Sequence, residues 1–364
     1  MKPRNLVALS ATALLSLALA ACGSSSSTGS TGTSGAGTIS GAGSTFAAPV
    51  YSQWGAQGGP SGVGVNYQAV GSGAGIMALE TKTADFGASD PPLKPADAAA
   101  IAKNGSPAVQ IPMFLGAITA SYNLPGVKTG LKLDGKTLAD IYLGKVKSWN
   151  NAEIKALNPG IALPSTAITT IHRSDSSGTT AGFTGFLAAV DPEFKTKVGS
   201  GKDVNWPAGG TGAKGNAGVA GAVLQTPGSI GYVEQAYALL HKFTYASVKN
   251  KAGNFIAPSL ASATAAAQGV KVPADLGFAI SDPAGAGAYP ITSQTFIVVN
   301  KDLCKAGDSA AVAGRLAKFL AYGLGAGQSV LSAAQYAALP ATVLAKSKAA
   351  AAGLECNGAP VSPA

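Results

Sequence analysis

The chain has 364 residues, of which 46% are hydrophobic and only 12% are charged, and its formal net charge is +9 at pH 7. This length exceeds one average domain, and the composition is typical of a globular protein rather than a disordered one. This charge would attract an anionic ligand; it is weak evidence for nucleic acid, because the lysines are dispersed and form no run interleaved with aromatic residues. A soluble surface that happens to be basic is the alternative explanation for most of the charge.

The N-terminus predicts an exported lipoprotein. Lys2 and Arg4 precede an uncharged apolar stretch, residues 6–21, which is too short and too early to span a membrane in the mature protein. The Leu-Ala-Ala-Cys sequence that ends at Cys22 resembles a bacterial lipobox, in which the cysteine is acylated and becomes the first residue. We therefore expect a signal peptide over residues 1–21; an incidental cysteine after an ordinary signal peptide is the alternative.

A flexible tether is predicted over residues 22–38, because residues 23–37 contain only Gly, Ser, Thr and Ala and cannot bury a core. About 16 such residues have an r.m.s. reach of roughly 20 Å, enough to lift a domain off a membrane surface. Further along, no segment reaches 18 uninterrupted apolar residues, so we expect no membrane span in the mature protein.

Two Gly-rich loops are candidate anion-binding turns, and the second follows a strand-like alternation at Val63, Val65 and Tyr67. Gly-Ala-Gly-Ser-Thr-Phe over residues 41–46 and Gly-Ser-Gly-Ala-Gly over residues 71–75 each precede apolar residues at helical spacing. Backbone N–H groups in such turns can converge on an anion. Neither loop is specific by itself, since the second lacks both the full GxGxxG spacing and the Lys-Ser/Thr of a P-loop.

Asp90 ends a third loop, after the sequence Asp-Phe-Gly-Ala-Ser and before two prolines; alone it would be read as a turn or cap residue.

The runs 109–120 and 295–299 predict long apolar strands. Because they are far apart in sequence, we interpret them as crossovers between two lobes, with the first and last parts of the chain sharing one lobe.

The segment 171–180, Ile-His-Arg-Ser-Asp-Ser-Ser-Gly-Thr-Thr, is the strongest indication of a binding site. It places a guanidinium, a carboxylate and several hydroxyls between a strand-like run and an amphipathic helical pattern. The first N–H groups of a helix lack backbone partners and carry the positive end of its dipole. Phosphate or sulfate therefore fits there, with Arg173 as a planar fork. A salt bridge plus an N-cap is the alternative.

Cysteine and histidine contribute little chemistry. In an exported chain Cys304 and Cys356 can form a disulfide, and closing a loop of about 50 residues could stabilise the fold by about 4 kcal/mol. His172 and His241 are the only histidines, and neither CxxC nor HExxH occurs. We therefore expect no metal site and no cofactor.

Together these loops resemble the phosphate-binding proteins of bacterial high-affinity phosphate ABC transporters, from about Gly41 to about Leu339. Three further stretches carry the resemblance: Leu-Asp-Gly-Lys-Thr-Leu-Ala-Asp-Ile-Tyr-Leu-Gly-Lys over 133–145, Pro-Gly-Ser-Ile-Gly-Tyr-Val-Glu over 227–234 and Tyr-Pro-Ile-Thr-Ser-Gln-Thr-Phe over 289–296. The tail after about residue 345 matches poorly.

The resemblance implies an α/β, two-lobed periplasmic-binding-protein fold of type II, with mixed sheets flanked by helices and the ligand in the inter-lobe cleft. Residues 39–115 and 290–364 would form lobe 1, and residues 116–289 lobe 2. It further implies a monomer that binds inorganic phosphate outside the cytoplasm, anchored to the membrane by its lipid. This monomer would deliver the phosphate to the permease and ATPase subunits of an ABC transporter.

The resemblance also assigns roles in phosphate binding. Asp90 would be the one acceptor in a ring of donors, and Asp175 would hold the Arg173 guanidinium in place. The full set is Ser44, Thr45, Phe46, Ser72, Asp90, Arg173, Asp175, Ser177, Gly178 and Thr179. Phosphate carries a proton with which it can donate a hydrogen bond to an ionised Asp90, whereas sulfate carries none. A preference for phosphate over sulfate on the order of 10⁴ to 10⁵ is therefore expected. Ser44 departs from the family pattern, where Ala is common.

Two rival functions stay open. A secreted phosphatase or phosphoesterase could use Ser72 or Ser177 as nucleophile, but no histidine stands near either serine in a triad order and no metal cluster is available to activate water. A surface adhesion or signalling module would make equal use of a lipid anchor. We expect the chain not to be an enzyme.

Overall fold

The computed structural model describes residues 37–56, 59–207 and 209–362. The predicted signal peptide, the acylated Cys22 and the predicted tether up to residue 36 lie outside the described residues. Thr38, which the sequence assigned to the tether, is already the first residue of the first strand.

Fourteen strands are described: β1 (Thr38–Gly43), β2 (Gly64–Ala69), β3 (Phe86–Ser89), β4 (Ala108–Tyr122), β5 (Lys132–Leu133), β6 (Thr169–Arg173), β7 (Thr211–Ala213), β8 (Ser229–Glu234), β9 (Thr244–Tyr245), β10 (Ser247–Lys249), β11 (Phe255–Ile256), β12 (Thr292–Asn300), β13 (Glu355–Cys356) and β14 (Ala359–Pro360).

The helices described are α1 (Ala48–Trp54), α2 (Ser72–Glu80), α3 (Pro95–Ala102), α4 (Gly135–Tyr142), α5 (Ala152–Leu157), α6 (Gly178–Val190), α7 (Pro192–Lys197), α8 (Gly215–Gln225), α9 (Gln235–Leu240), α10 (Leu260–Ala266), α11 (Ala310–Leu324), α12 (Gly327–Val330) and α13 (Ala341–Ala352), with a 3₁₀ turn at Leu331–Ala334. Within the described part of the chain, none of these helices has the length and apolarity needed to cross a membrane.

The main sheet has the strand order β2-β1-β3-β12-β4-β8-β6-β7, and β9 pairs with β4 at the side. β1 is parallel to β2 and β3, β12 is antiparallel to β3 and β4, and β6 is parallel to β7 and β8. Mixed pairing with helices between consecutive strands agrees with the predicted α/β class.

β4 joins the two lobes of this fold. Its residues 108–117 pair with β12, whereas residues 118–122 pair with β8. We call the part built on β2, β1, β3 and β12 the first lobe and the part built on β8, β6 and β7 the second lobe. The predicted boundary between residues 115 and 116 falls inside β4, close to this change of partner, and the exact limits of the lobes stay a prediction.

The core of the first lobe is aromatic. Pro49 lies in the first turn of α1, where its missing N–H costs nothing. Tyr51 and Trp54, on the buried face of this helix, make edge-to-face contacts with Phe114 of β4, at centroid distances of 5.5 and 5.7 Å. Such aromatic pairs add to the stabilisation that burial itself provides. The contacts fix α1, and with it the loop that connects β1 to α1.

Candidate anion-binding site

Three loops that the sequence singled out meet at the carboxyl ends of strands. β1 ends at Gly43, β3 at Ser89 and β6 at Arg173. In open α/β sheets, ligands bind outside the carboxyl ends of the strands. The loops that follow these strands come from both lobes, so the site lies between the lobes.

Asp90 is the centre of this site and is 1% exposed. Its Oδ1 accepts hydrogen bonds from Ser44 Oγ at 2.6 Å and from Thr295 Oγ1 at 2.8 Å. Its Oδ2 has only a long hydrogen bond, 3.4 Å, from Ser72 Oγ. Two short donors therefore occupy one carboxylate oxygen, and the other oxygen keeps a lone pair for a ligand.

Burial raises the pKa of Asp90 to about 6. Hydrogen bonds from Ser44 and Thr295 and the charge of Arg173 act in the opposite direction and limit the shift. The carboxylate is therefore ionised at neutral pH and gains a proton in mildly acidic solution. An ionised carboxylate only accepts hydrogen bonds, whereas a protonated one can donate.

Arg173 supplies the positive charge. Its Nε donates to Asp175 Oδ1 at 2.7 Å, its Nη2 pairs with Asp175 Oδ2, and its Nη1 donates to Thr179 Oγ1 at 3.2 Å. Although burial alone would raise the pKa of Asp175, the hydrogen bonds and charge of Arg173 and the Gly215 N–H lower it. Asp175 thus pairs with two nitrogens of the guanidinium fork.

The N-terminus of α6 faces Asp90. Ser177 is the N-cap, and its Oγ accepts a hydrogen bond from Thr180 N at 3.1 Å. A Cβ added at Gly178 would lie 2.2 Å from Asp90 Oδ2, so only glycine allows this approach. The first N–H groups of a helix have no partner within the helix, so those of Gly178 and Thr179 can donate to an acceptor outside it.

The loop between β2 and α2 closes against the second lobe. Gly71 has φ of +97°, and a Cβ there would lie 2.5 Å from Asp175 Oδ2. The Gly73 N–H donates to the Ser176 carbonyl oxygen at 3.0 Å. Glycine is required at these positions because the loops of the two lobes are in contact.

Thr45 binds the second lobe directly. Its Oγ1 accepts from Asn216 N at 3.2 Å and from Asn216 Nδ2 at 2.9 Å, and its carbonyl oxygen accepts from Tyr237 Oη at 2.9 Å. The sequence assigned Thr45 as a donor to the ligand. In the structure its hydroxyl oxygen accepts hydrogen bonds from Asn216 in the second lobe. This role depends on where the fold places Asn216, so the sequence of the Thr45 loop alone does not predict it.

All ten residues singled out for the site lie on these three strand ends or on the first turns of α2 and α6. The sequence missed Thr295, Asn216 and Tyr237. Thr295 is inside one of the stretches that carry the resemblance, so a signal existed; Asn216 follows Lys214 and Gly215 in a stretch that carried none. In the described part of the chain no group of three or more His, Cys, Asp or Glu residues could hold a metal ion.

The fold and this site are those of a two-lobed substrate-binding protein. A family model described as a PBP superfamily domain matches residues 28–325. A solved phosphate-binding protein from Stenotrophomonas maltophilia superposes with a TM-score of 0.70 at 20% sequence identity, covering 90% of this chain and 97% of that one. A high-affinity periplasmic phosphate-binding protein solved with phosphate gives 0.69 at 24% identity, with coverage of 85% and 93%. At these identities the structures establish the fold alone.

Similar curated sequences identify the family within this class of substrate-binding proteins. The phosphate-binding protein PstS of Xylella fastidiosa is 46% identical over 267 residues, 72% of this chain and 72% of the relative. The PstS protein of Haemophilus influenzae is 41% identical over 317 residues, 86% of this chain and 92% of the relative. The chain therefore belongs to the PstS family of phosphate-binding proteins.

Proposed function

We propose that this chain binds inorganic phosphate outside the cytoplasm and delivers it to the permease of an ABC transporter. One observation carries the proposal: Asp90, a carboxylate whose Oδ2 has only a long hydrogen bond from Ser72, faces the N-terminus of α6 in a site that otherwise offers donors. A purely donating site would fit any oxyanion. A single acceptor selects an anion that carries a proton, which phosphate does near neutral pH.

The ligand set that we propose is the one named from the sequence. Backbone N–H groups of Thr45, Phe46, Gly178 and Thr179 and the hydroxyl of Ser72 are the neutral donors, and Arg173 is the cation. Neutral dipoles stabilise a buried anion without adding further charge. The full set is Ser44, Thr45, Phe46, Ser72, Asp90, Arg173, Asp175, Ser177, Gly178 and Thr179, in which Ser44 and Asp175 orient Asp90 and Arg173.

Titration calorimetry with phosphate, arsenate and sulfate tests the proposal. Phosphate and arsenate are both protonated near neutral pH, so both should bind, and sulfate should bind far more weakly. Equal affinity for sulfate would contradict the role of Asp90. Release of phosphate from an aryl phosphate ester would instead support the secreted phosphatase, which we propose this chain is not.

The attachment to the membrane is the second part of the proposal. We propose that Cys22 is acylated after removal of residues 1–21, that the mature chain is a monomer, and that the Gly/Ser-rich segment tethers it to the membrane. Cys22→Ala should block processing and release the protein into the soluble fraction. A wild-type protein with an unmodified N-terminus, recovered only from the soluble fraction, would contradict the lipid anchor.

A further inference from the structure

Glu234, at the end of β8, is a buried acidic residue that is not part of the proposed ligand set. It is fully buried, and its Oε2 accepts a hydrogen bond from Ala236 N at 2.8 Å as the N-cap of α9. Its Oε1 is buried with no hydrogen-bond partner among the described residues. An ionised carboxylate would leave charge on that oxygen without any donor, which is costly in the interior of a protein.

Tyr336 lies between Glu234 and the first ligand loop. Its Oη is 2.6 Å from the carbonyl oxygen of Phe46 and 2.8 Å from Glu234 Oε2. A phenol has one proton to donate, and a carbonyl oxygen and an ionised carboxylate can only accept. With Glu234 ionised, one of the two contacts would place two acceptor oxygens against each other.

A proton on Glu234 Oε2 removes the conflict. The carboxylic acid then donates to Tyr336 Oη, and Tyr336 donates to the Phe46 carbonyl oxygen, so each short contact has one donor and one acceptor. Oε2 keeps a lone pair for Ala236 N–H, and the unpartnered Oε1 carries no charge.

The surroundings favour the neutral form. Titratable groups that act on or respond to Glu234 are Tyr336, Tyr237 and Asp90, and none of these is a cation. The nearby guanidinium of Arg173 is paired with Asp175. Burial, and then the negative charge of Asp90, raise the pKa of Glu234 well above its usual value, although hydrogen bonds from Tyr336 and Ala236 act against this.

We propose that Glu234 is a positioning residue that carries a proton in the closed protein, holds the Thr45–Phe46 loop through Tyr336, and takes up this proton as the two lobes close over the ligand. Glu234 belongs to the second lobe, whereas Phe46 and Tyr336 belong to the first, so the hydrogen-bonded chain runs from one lobe to the other. This coupling to closure rests on the proposed binding function.

The linkage has a definite sign. A pKa raised in the closed state makes closure most favourable below the usual pKa of a glutamate, and the advantage is lost as the pH rises towards the raised value. Over that interval the affinity should fall by up to about tenfold per pH unit on account of this group. Glu234→Gln keeps the shape and, with Nε2 in the place of Oε2, a donor for Tyr336; it cannot titrate, and it gives up the acceptor for Ala236 N–H.

Infrared spectroscopy of the full chain saturated with phosphate tests the proton in the closed protein. The wild type minus Glu234→Gln difference spectrum, near neutral pH, should contain the carbonyl stretch of a protonated carboxylic acid. Asp90→Asn is the matched control, because at that pH Asp90 is ionised and its replacement should leave this band in place. A difference spectrum with only carboxylate bands would overturn the proposal.

Calorimetry of phosphate binding in two buffers of different ionisation enthalpy tests the coupling. Wild type should take up more protons on binding than Glu234→Gln, by up to one, and the variant's affinity should fall less steeply with rising pH. Equal proton uptake would overturn the coupling. Tyr336→Phe, which removes both hydrogen bonds of the chain, should weaken binding by about tenfold or more, as expected for the loss of buried hydrogen bonds; an unchanged affinity would overturn the positioning role. If the wild type bound no phosphate, the proposed function would fail; if it bound phosphate without the carboxylic-acid band, the inference about Glu234 alone would fail.

Discussion

Gly178 and Asp90 approach so closely that a Cβ on the glycine would lie 2.2 Å from the carboxylate Oδ2 and 2.5 Å from Ser72 Oγ. The three residues come from both lobes, and the contact brings the first turn of α6 against the one acceptor of the site. A glycine is thus needed here because two lobes meet, not because a turn requires it.

Gly178→Ala should therefore prevent full closure. We expect phosphate affinity to fall roughly 10- to 100-fold, which corresponds to about 1–3 kcal/mol of overpacking, while the open protein stays folded. Gly185→Ala is the matched control on the same helix, since a Cβ there meets nothing within 4 Å. It should leave the affinity unchanged and stabilise the helix by about 0.5–1 kcal/mol. Equal affinities for the two variants would contradict the steric argument.

Asp90 should lower the stability of the ligand-free protein at neutral pH. Its pKa of about 6 is above its usual value, so its contribution is most favourable below about pH 4 and is lost as the pH rises through 6. A shift of this size corresponds to about 3 kcal/mol. Asp90→Asn should therefore raise the free energy of unfolding by up to about 3 kcal/mol above pH 7 and change it little at pH 4. Urea denaturation at the two pH values measures this. An equal gain in the free energy of unfolding at both pH values would contradict the prediction.

Selectivity should depend on Asp90 more than on Arg173. In Asp90→Asn the amide can turn its N–H groups towards an unprotonated oxyanion, so sulfate should gain while phosphate is held nearly as well. Arg173→Ala should weaken both anions by about 1.5–3 kcal/mol, the effect of losing a charged hydrogen-bonding group. Titration of both variants with both anions gives the ratio of phosphate affinity to sulfate affinity. An undiminished preference for phosphate in Asp90→Asn would exclude the carboxylate as proton acceptor.

The contact between Thr45 and Asn216 should stabilise the closed form. Thr45→Val keeps the shape but removes the oxygen that accepts two N–H groups of Asn216, so phosphate affinity should fall by about 1–3 kcal/mol. Thr45→Ser, which keeps the hydroxyl, is the control and should bind nearly as the wild type does. Combined with Asn216→Ala, which removes the side-chain donor but keeps the backbone N–H, Thr45→Val should cost less than it does alone, because the two changes share one of the two hydrogen bonds; additive losses would show that the two residues act independently.

The C-terminal hairpin should stabilise the first lobe covalently. Cys304 and Cys356 form a disulfide with a Cα–Cα distance of 4.7 Å and a sequence separation of 52. Replacing both with Ser should lower the free energy of unfolding by about 4 kcal/mol in the chain-entropy model, and the site, which contains neither residue, should keep its phosphate affinity. Thermal unfolding under oxidising and reducing conditions measures this; a wild type unaffected by reductant, with full reduction verified, would contradict it.

Local sequence predicted the elements of the site because each is a short signal in itself. The Ser177 cap, the first turn of α6 and the Arg173–Asp175 pair all lie within one loop, and the resemblance supplied their roles. Thr295 and Asn216 differ in kind. Thr295 reaches Asp90 across 205 positions and Asn216 reaches Thr45 across 171, and no periodicity or spacing encodes such a contact. Strand identity was predictable, whereas the position of β12 between β3 and β4 depends on the whole sheet.

Because β12 lies between β3 and β4, the main sheet can be completed only late in the synthesis of the chain. The main-sheet strands of the second lobe are all synthesised by Tyr245, but β3 and β4 each lack a neighbour until residues 292–300 emerge. Until then two strand edges are open at the middle of the first lobe, and open edges are templates for aggregation. A chain cut short before Thr292 would keep every residue of the Arg173 loop and yet lose the strand that joins the sheet, and with it the Thr295 hydroxyl that orients Asp90.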